Sequence, residues 1–304
     1  MKKIALLLLI LFSSCNSNEK YVNSAIDIME QNSIRKDSVD WYKMRIESLN
    51  QIKENDSREN AYQIIRKNLK AIKDNHSFFL TKEALKRIYN DDNEQPYLSY
   101  EKINNHIAYL AIPSFLGNEK QVIDFAELIQ EKIKLLDSKK IEKWIIDLRS
   151  NGGGNMWPMY LGLAPILKEG VSGYFINSNG EYTKWIFKGN SVFEGKSKML
   201  EIENSYRIKA NKTKIAVLIS SNTGSSGEAI ALMFKKFPNT SLFGEDSYGA
   251  TTGNSIYDMN DGAKLVLTTS IFVDRMKERY GKKIKPDVYS VDPKRSAIEW
   301  LEKK

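Results

Sequence analysis

Two stretches of this chain, KWIIDLRSNGGG and KIAVLISSNTGSSGEAIALMF, constrain its fold more than any other feature. Each opens with a short apolar run, at 144–146 and 215–219, that lacks the polar alternation of a strand with one wet face. Such runs read as strands buried on both faces, and strands of that kind belong to parallel sheets covered by helices. Each run then passes through glycine and serine into an apolar helix-like segment, WPMYLGLAPIL or EAIALMF. The alternation continues outward. HIAYLAIPSF (106–115) reads as a strand ended by Pro113, and an amphipathic helix follows through Val122, Phe125, Ala126, Ile129, Ile133 and Leu136. NTSLFGE is a further short strand and SAIEWLEK a closing helix. GYFINSNGEYTKWIF and NSIYDMNDGAKLVLTTSIF read as hairpins turning at Asn179-Gly180 and Asp261-Gly262. The expected fold class is α/β, a layered core built on a mainly parallel sheet, over residues 100–304.

Ahead of that core the period changes. Val22, Ala25, Ile26 and Met29, then Ala61, Ile64, Ile65, Leu69 and Ile72, recur at helical spacing, so residues 16–90 are expected to form a small helical domain. NDDNEQPYLSY (90–100) is loop-like and suits a joint. The start, MKKIALLLLILFSSC, has charged residues, an apolar run too short to span a bilayer, and small residues, which is the layout of a secretory signal peptide. Its end resembles a bacterial lipoprotein cleavage site, with Cys15 the one cysteine in the chain, so no disulfide forms within the chain. The resemblance implies that residues 1–15 are a lipoprotein signal and that Cys15 carries lipid. The protein would then sit in a bacterial cell envelope, on the periplasmic face or cell surface, touching membrane through its anchor only. A plain signal with an incidental cysteine is the alternative. The net charge of +8 is scattered: Lys70, Lys73, Lys82 and Lys86 are interleaved with acids and apolar residues. Without a basic stripe carrying stacking aromatics, nucleic acid is not an expected partner.

In α/β sheets, sites gather beyond the carboxyl ends of the strands. Gly152, Gly153 and Gly154 follow one such end, and let backbone N–H groups approach a ligand. Phosphate binding lacks the following Lys-Ser/Thr; an oxyanion site or a plain tight turn remain. Ser225 follows the other end. With Glu228 three residues later it makes a capping-box pattern. A serine beyond a strand at a helix N-terminus is also a place for a nucleophile, because the dipole and free N–H groups favour negative charge. A serine nucleophile needs a base. Of two histidines, His106 opens a strand and reads as structural, while His76 lies in a loop, DNHSFFL, and is the best neutral base in the chain. No set of Cys, His, Asp and Glu has ligand spacing, so no metal or other cofactor is expected.

The segments TGSSGEAIALMFKKFPNTSLFGEDSYGATTGNSIYDMNDGAKLVLTT and YGKKIKPD, with HIAYLAIPSF and DLRSNGGG, resemble the catalytic core of the tail-specific, or C-terminal-processing, serine peptidases of S41 type. The resemblance implies a layered core like those of crotonase and Clp peptidase. It implies Ser225 as nucleophile, and the N–H groups of Ser226 and of Gly152 or Gly153 as oxyanion donors. Ala250 stands in GEDSYGATTG where the Ser-Lys branch carries its lysine, which argues against that dyad. The branch resembling the tricorn core takes its base from an N-terminal histidine, matching His76, and uses a late glutamate. Glu278 is the candidate for that orienting acid, although Tyr280 occupies the matching place. Between His76 and His106 there is no room for a PDZ domain of ~90 residues. The expectation is a secreted, lipid-anchored serine peptidase acting on peptides or unfolded proteins through a Ser225 acyl-enzyme, with His76 as general base. The alternative is a non-catalytic envelope protein that keeps the core to bind peptides.

Overall fold

The computed structural model describes residues 17–53, 56–90, 94–210 and 213–303, so the expected signal and Cys15 lie outside the described residues. The chain divides between Asp74 and Asn75 into two compact units. The first contains α1 (Ser17–Asn32), a 3-10 turn (Lys36–Ser38), α2 (Trp41–Leu49) and α3 (Arg58–Ile72). Helix α1 buries Tyr21, Val22, Ala25, Ile26 and Met29, and α3 buries Ala61, Ile64, Ile65, Leu69 and Ile72, one stripe per helix at the period read from the sequence. Lys73 ends α3 in a left-handed conformation, φ 60°.

The second unit holds β1 (Phe78–Leu80), α4 (Lys82–Ile88), β2 (Tyr100–Lys102), β3 (Ile107–Ala111), α5 (Glu119–Leu136), β4 (Lys143–Asp147), α6 (Met156–Leu167) and β5 (Gly170–Asn177). It continues with β6 (Tyr182–Lys188), β7 (Ser191–Glu194), β8 (Ser197–Glu201), β9 (Lys214–Ile219), α7 (Ser226–Phe234) and β10 (Thr240–Gly244). It closes with β11 (Thr252–Asp258), β12 (Lys264–Asp274), β13 (Val288–Tyr289) and α8 (Pro293–Glu302). The sequence reading extended the helical unit to residue 90. The structure instead gives residues 78–80 to a sheet of the second unit, where β1 pairs antiparallel with β12.

The strands form two sheets. One, in the order β13-β10-β9-β4-β3-β2, is parallel from β13 to β3, with β2 antiparallel at its edge. The other runs β1-β12-β5-β6-β7-β8, with β11 also on β12, and is antiparallel throughout. The expectation of one mainly parallel sheet is therefore corrected. Tight turns join β5 to β6, β6 to β7, β7 to β8 and β11 to β12, and a tight turn can only return a strand antiparallel to the one before it. The hairpins seen in the sequence are thus not appendages; they build a second sheet.

The layering explains the apolar runs. In β4, Trp144 and Ile146 join a core with α5, α6 and α7, while Ile145 faces the opposite side. In β9, Ile215, Val217 and Ile219 share that first core, while Ala216 and Leu218 pack with Ala297 and Leu301 of α8. Trp185, Phe187, Val192 and Phe272 of the antiparallel sheet close the same core from its other side. Helix α7 is buried along its whole length, and so is nearly all of α6. A helix enclosed between two sheets needs no polar face, hence WPMYLGLAPIL and EAIALMF.

Candidate active site

The carboxyl ends of β4 and β9 lie side by side, and their following turns are stitched together. Leu148 N–H donates to Leu218 O at 2.9 Å, Thr223 Oγ1 to Leu148 O at 2.8 Å, and Ser220 Oγ to Arg149 O at 2.8 Å. Asn151, fully buried, takes Gly224 N–H on its carbonyl at 3.0 Å. A Cβ on Gly227 would stand 2.2 Å from that carbonyl, so the close approach of α7 to the loop requires glycine there.

Ser225 is the N-cap of α7, with φ 49° and ψ −116°. A serine at positive φ is strained by of order 1–3 kcal/mol, and such strain persists only where the surroundings over-determine it. Here they do. Ser225 N–H donates to Glu228 Oε2 at 2.9 Å. The reciprocal capping contact, from Glu228 N–H to the Ser225 side chain, is present but loose and falls short of a full hydrogen bond. The capping pattern in the sequence is therefore real, yet the cap binds the backbone of Ser225 more firmly than its hydroxyl. Glu228 has a second function. It is fully buried, and its Oε1 accepts from Ser247 Oγ at 2.5 Å and from Gly249 N–H at 2.8 Å. Burial raises the Glu228 carboxyl above its usual range, and these donors partly offset that.

The glycine loop reaches the serine directly. A Cβ on Gly153 would lie 2.8 Å from Ser225 Cβ and 3.4 Å from its Oγ, and Gly153 has φ +122°. Ser226 Oγ donates to Gly154 O at 2.6 Å, pinning the loop to the helix start. Three N–H groups are the expected oxyanion donors. Ser226 N–H opens the helix and has no intrahelical acceptor. Gly152 N–H donates to Ser114 Oγ at 2.8 Å, and Gly153 N–H to Asn151 Oδ1 at 3.1 Å. Ser114 and Asn151 were not singled out in the sequence.

His76 stands in the second unit, just before β1. Its Nδ1 is 2.7 Å from Thr252 Oγ1, and its carbonyl accepts from Asn254 Nδ2 at 3.1 Å. Both partners lie on β11. The segment leading into β11 is the one held at the serine: Tyr248 N–H donates to Thr223 O at 2.8 Å, and Gly249 N–H to Glu228. Residues 247–252 thus touch the Ser225 turn at one end and His76 at the other. From Gly249 to Thr252 extended chain spans at most ~11 Å. Ala250 lies within this segment.

The other residues singled out lie elsewhere. Glu278 is exposed in the turn after β12; its N–H donates to Asp274 Oδ1 at 2.9 Å, and its carboxylate has no hydrogen bond or ion pair among the described residues. Tyr280 OH instead reaches the buried Asp274 at 3.3 Å. His106 is exposed at the amino end of β3, the end of the parallel sheet opposite the glycine and serine turns, with Nδ1 3.2 Å from Lys140 O. Among the described residues no group of His, Cys, Asp and Glu is arranged to hold a metal ion. A cavity of about 520 Å³, lined in part by Leu167, Ser172, Thr213, Phe237 and Arg275, contains none of the candidate catalytic residues. No helix among the described residues is long and apolar enough to cross a membrane.

Comparison with known proteins finds relatives over most of the chain. The nisin-resistance protein of Lactococcus lactis subsp. lactis is 31% identical over 290 residues, covering 94% of this chain and 87% of the relative. The chloroplastic carboxyl-terminal-processing peptidase 2 of Arabidopsis thaliana is 24% identical over 54% of this chain, but the match spans only 28% of that longer protein. Among solved structures, a lipoprotein from Streptococcus agalactiae superposes with a TM-score of 0.80 at 27% identity, covering 99% of both chains. A photosystem II D1 C-terminal processing protease shares the fold, with a TM-score of 0.62 at 16% identity over 90% of this chain and 93% of the other. The sequence profile of peptidase family S41, a family of serine-type hydrolases, matches residues 106–290, more than half of the chain, and the chain belongs to that family.

Proposed function

We propose that this chain is a serine peptidase in which Ser225 is the nucleophile and His76 the general base. The observation that carries the reading is the positive-φ backbone of Ser225, held by Glu228 at a helix start and bordered by a glycine that tolerates no side chain. Strain fixed at a strand-to-helix serine is the arrangement that exposes a nucleophilic hydroxyl. His76 is tied to the other end of the segment that Glu228 holds.

In the first step Ser225 Oγ bonds to the carbonyl carbon of a peptide while its proton passes to His76. The carbonyl oxygen becomes an oxyanion facing Ser226 N–H and the N–H of Gly152 or Gly153. Whichever glycine serves exchanges its present acceptor, Ser114 Oγ for Gly152 or Asn151 Oδ1 for Gly153, for the oxyanion. One such donor is worth ~3 kcal/mol in the transition state. The C–N bond breaks as His76 protonates the leaving amine. Water then attacks the acyl-enzyme while His76 takes its proton, and His76 returns that proton to Ser225 Oγ as the acyl C–O bond breaks, releasing the acid product, which ionises, and free Ser225. Peptides or unfolded proteins are the substrates, and the name of the Lactococcus lactis relative makes nisin the first one to test. The likeness to a streptococcal lipoprotein supports lipid at Cys15 and a place in the cell envelope.

A second reading, a peptide-binding protein without catalysis, has one observation in its favour: side chains already occupy the N–H groups of Gly152 and Gly153. A serine-directed fluorophosphonate separates the two. The peptidase is labelled, and labelling and peptide cleavage both vanish in Ser225→Ala and fall steeply in His76→Gln. A folded wild-type protein that takes no label and cleaves no peptide is the binding protein.

A further inference from the structure

Glu278 is the acid the sequence offered to orient His76. Glu278 is exposed in a turn with no hydrogen bond or ion pair to its carboxylate among the described residues, and Nδ1 of His76 is engaged by a hydroxyl, Thr252 Oγ1, at 2.7 Å. We infer that Thr252 is the positioning residue of the general base: its hydroxyl accepts a hydrogen bond from Nδ1–H of His76, the tautomer whose Nε2 is unprotonated and able to take the proton of Ser225. The inference rests on the peptidase reading for its catalytic meaning, but the bond itself can be tested without it.

The direction of the bond follows from what the ring must do. A hydroxyl can donate to Nδ1 or accept from it. If Thr252 donated, Nε2 would carry the proton of the neutral ring and could not act as a base. That arrangement would also break at each turnover, because both nitrogens of the imidazolium are donors. With Thr252 as acceptor, one bond serves the neutral and charged rings alike, and the imidazole stays oriented throughout. A threonine hydroxyl brings no negative charge, so it orients the ring without stabilising imidazolium as an aspartate would. The hold is reinforced two residues along β11, where Asn254 Nδ2 donates to His76 O at 3.1 Å. Thr252 itself is set by the ladder, paired with Ile271 of β12, and adjoins the segment that Glu228 binds.

Because the chain has two histidines, nitrogen-15 NMR of a His106→Gln protein reports His76 alone. The neutral ring of the otherwise wild-type protein carries its proton on Nδ1, and Thr252→Val moves it to Nε2. Fluorophosphonate labelling of Thr252→Val slows by about tenfold or more with wild-type melting behaviour, and Thr252→Ser restores both the tautomer and most of the rate. An Nε2–H tautomer in the parent protein overturns the inference even if the Val variant fails to fold. So does a Val variant labelled at the parent rate, while Ser225-dependent labelling leaves the peptidase reading intact. A parent protein that takes no label sinks the peptidase reading, and the catalytic meaning of Thr252 with it.

Discussion

The two halves of the proposed dyad are held in opposite ways. Ser225 follows a buried parallel strand, and its turn is fastened mostly through buried groups: Asn151, Thr223, Ser226 and Glu228 each tie one backbone segment to another. His76 precedes a strand of three residues at the antiparallel sheet, is half-buried, and is held by Thr252 on its ring and Asn254 on its carbonyl. A nucleophile kept in a strained conformation has to be over-determined, or the turn relaxes. A base that gains and loses a proton each cycle needs its orientation fixed by a partner that fits both charge states. The serine turn is fastened by buried backbone ties, and the histidine is bound to β11 by polar contacts on its ring and its carbonyl.

That asymmetry predicts unequal costs. The largest effect on stability is expected from Glu228→Gln. Its carboxylate accepts from Ser225 N–H, Ser247 Oγ and Gly249 N–H, and an amide replaces one acceptor oxygen with a donor that faces donors. A loss of about 3 kcal/mol in urea unfolding is the expected result, since bonds to charged buried groups are worth about 1.5–3 kcal/mol each. Gly153→Ala comes next. The new methyl meets Ser225 Cβ at 2.8 Å and the backbone sits at φ +122°, so about 2 kcal/mol is lost and peptide cleavage with it. On the histidine side, Asn254→Ala removes one side-chain bond to a carbonyl and costs about 1 kcal/mol or less. If Asn254→Ala proves as damaging as either serine-side change, the contrast in rigidity is wrong.

The same contrast governs what the sequence revealed. The parallel strands were legible because burial on both faces leaves a continuous apolar run, as in KIAVLI. Strands β7 and β8 were not, because they are short and carry polar residues at their turns, Gly189-Asn190 and Gly195-Lys196. The pairing of β1 with β12 had no local signature at all, being a contact between distant parts of the chain. At the site, Ser225 stood out through the strand–turn–helix pattern, and His76 because a chain with two histidines offers few bases. The positive φ of Ser225 was invisible, since it is imposed by Glu228 and the glycine loop rather than preferred by serine. Thr252 was invisible for another reason. A threonine in a β-rich stretch reads as a strand former, and its bond to His76 spans 176 residues.

A smaller effect sharpens the account of Ser225 itself. If the hydroxyl were chiefly a helix cap, Ser225→Ala would cost ~1 kcal/mol and Ser225→Gly a few tenths. Here the hydroxyl makes no full capping bond and the backbone is at φ 49°. Alanine is therefore expected to leave stability within about 0.5 kcal/mol of wild type, because it keeps the strain and loses little. Glycine relieves the strain and is expected to be more stable than wild type by about 1 kcal/mol. Both variants are inactive. Thermal melts of the three proteins check this, and a glycine variant no more stable than wild type would mean that the turn stores no strain.

The smallest effect is a pH dependence on the serine side, at Glu228. Burial lifts the Glu228 carboxyl above its unfolded value of ~4.3, so the folded protein binds that proton more readily than the unfolded chain. The contribution of this group to stability is therefore fullest below ~4.3 and declines as pH rises through the folded value. Glutamine does not titrate. The gap in stability between wild type and Glu228→Gln should thus be wider at pH 5 than at pH 7, whereas the gap between wild type and Gly153→Ala should not change, because that substitution adds only a methyl group. Paired urea titrations at the two pH values measure both gaps. A Glu228→Gln gap that narrows at pH 5 would mean that the donors around the carboxylate outweigh its burial, and that Glu228 grips the Ser225 turn as a stabilised anion.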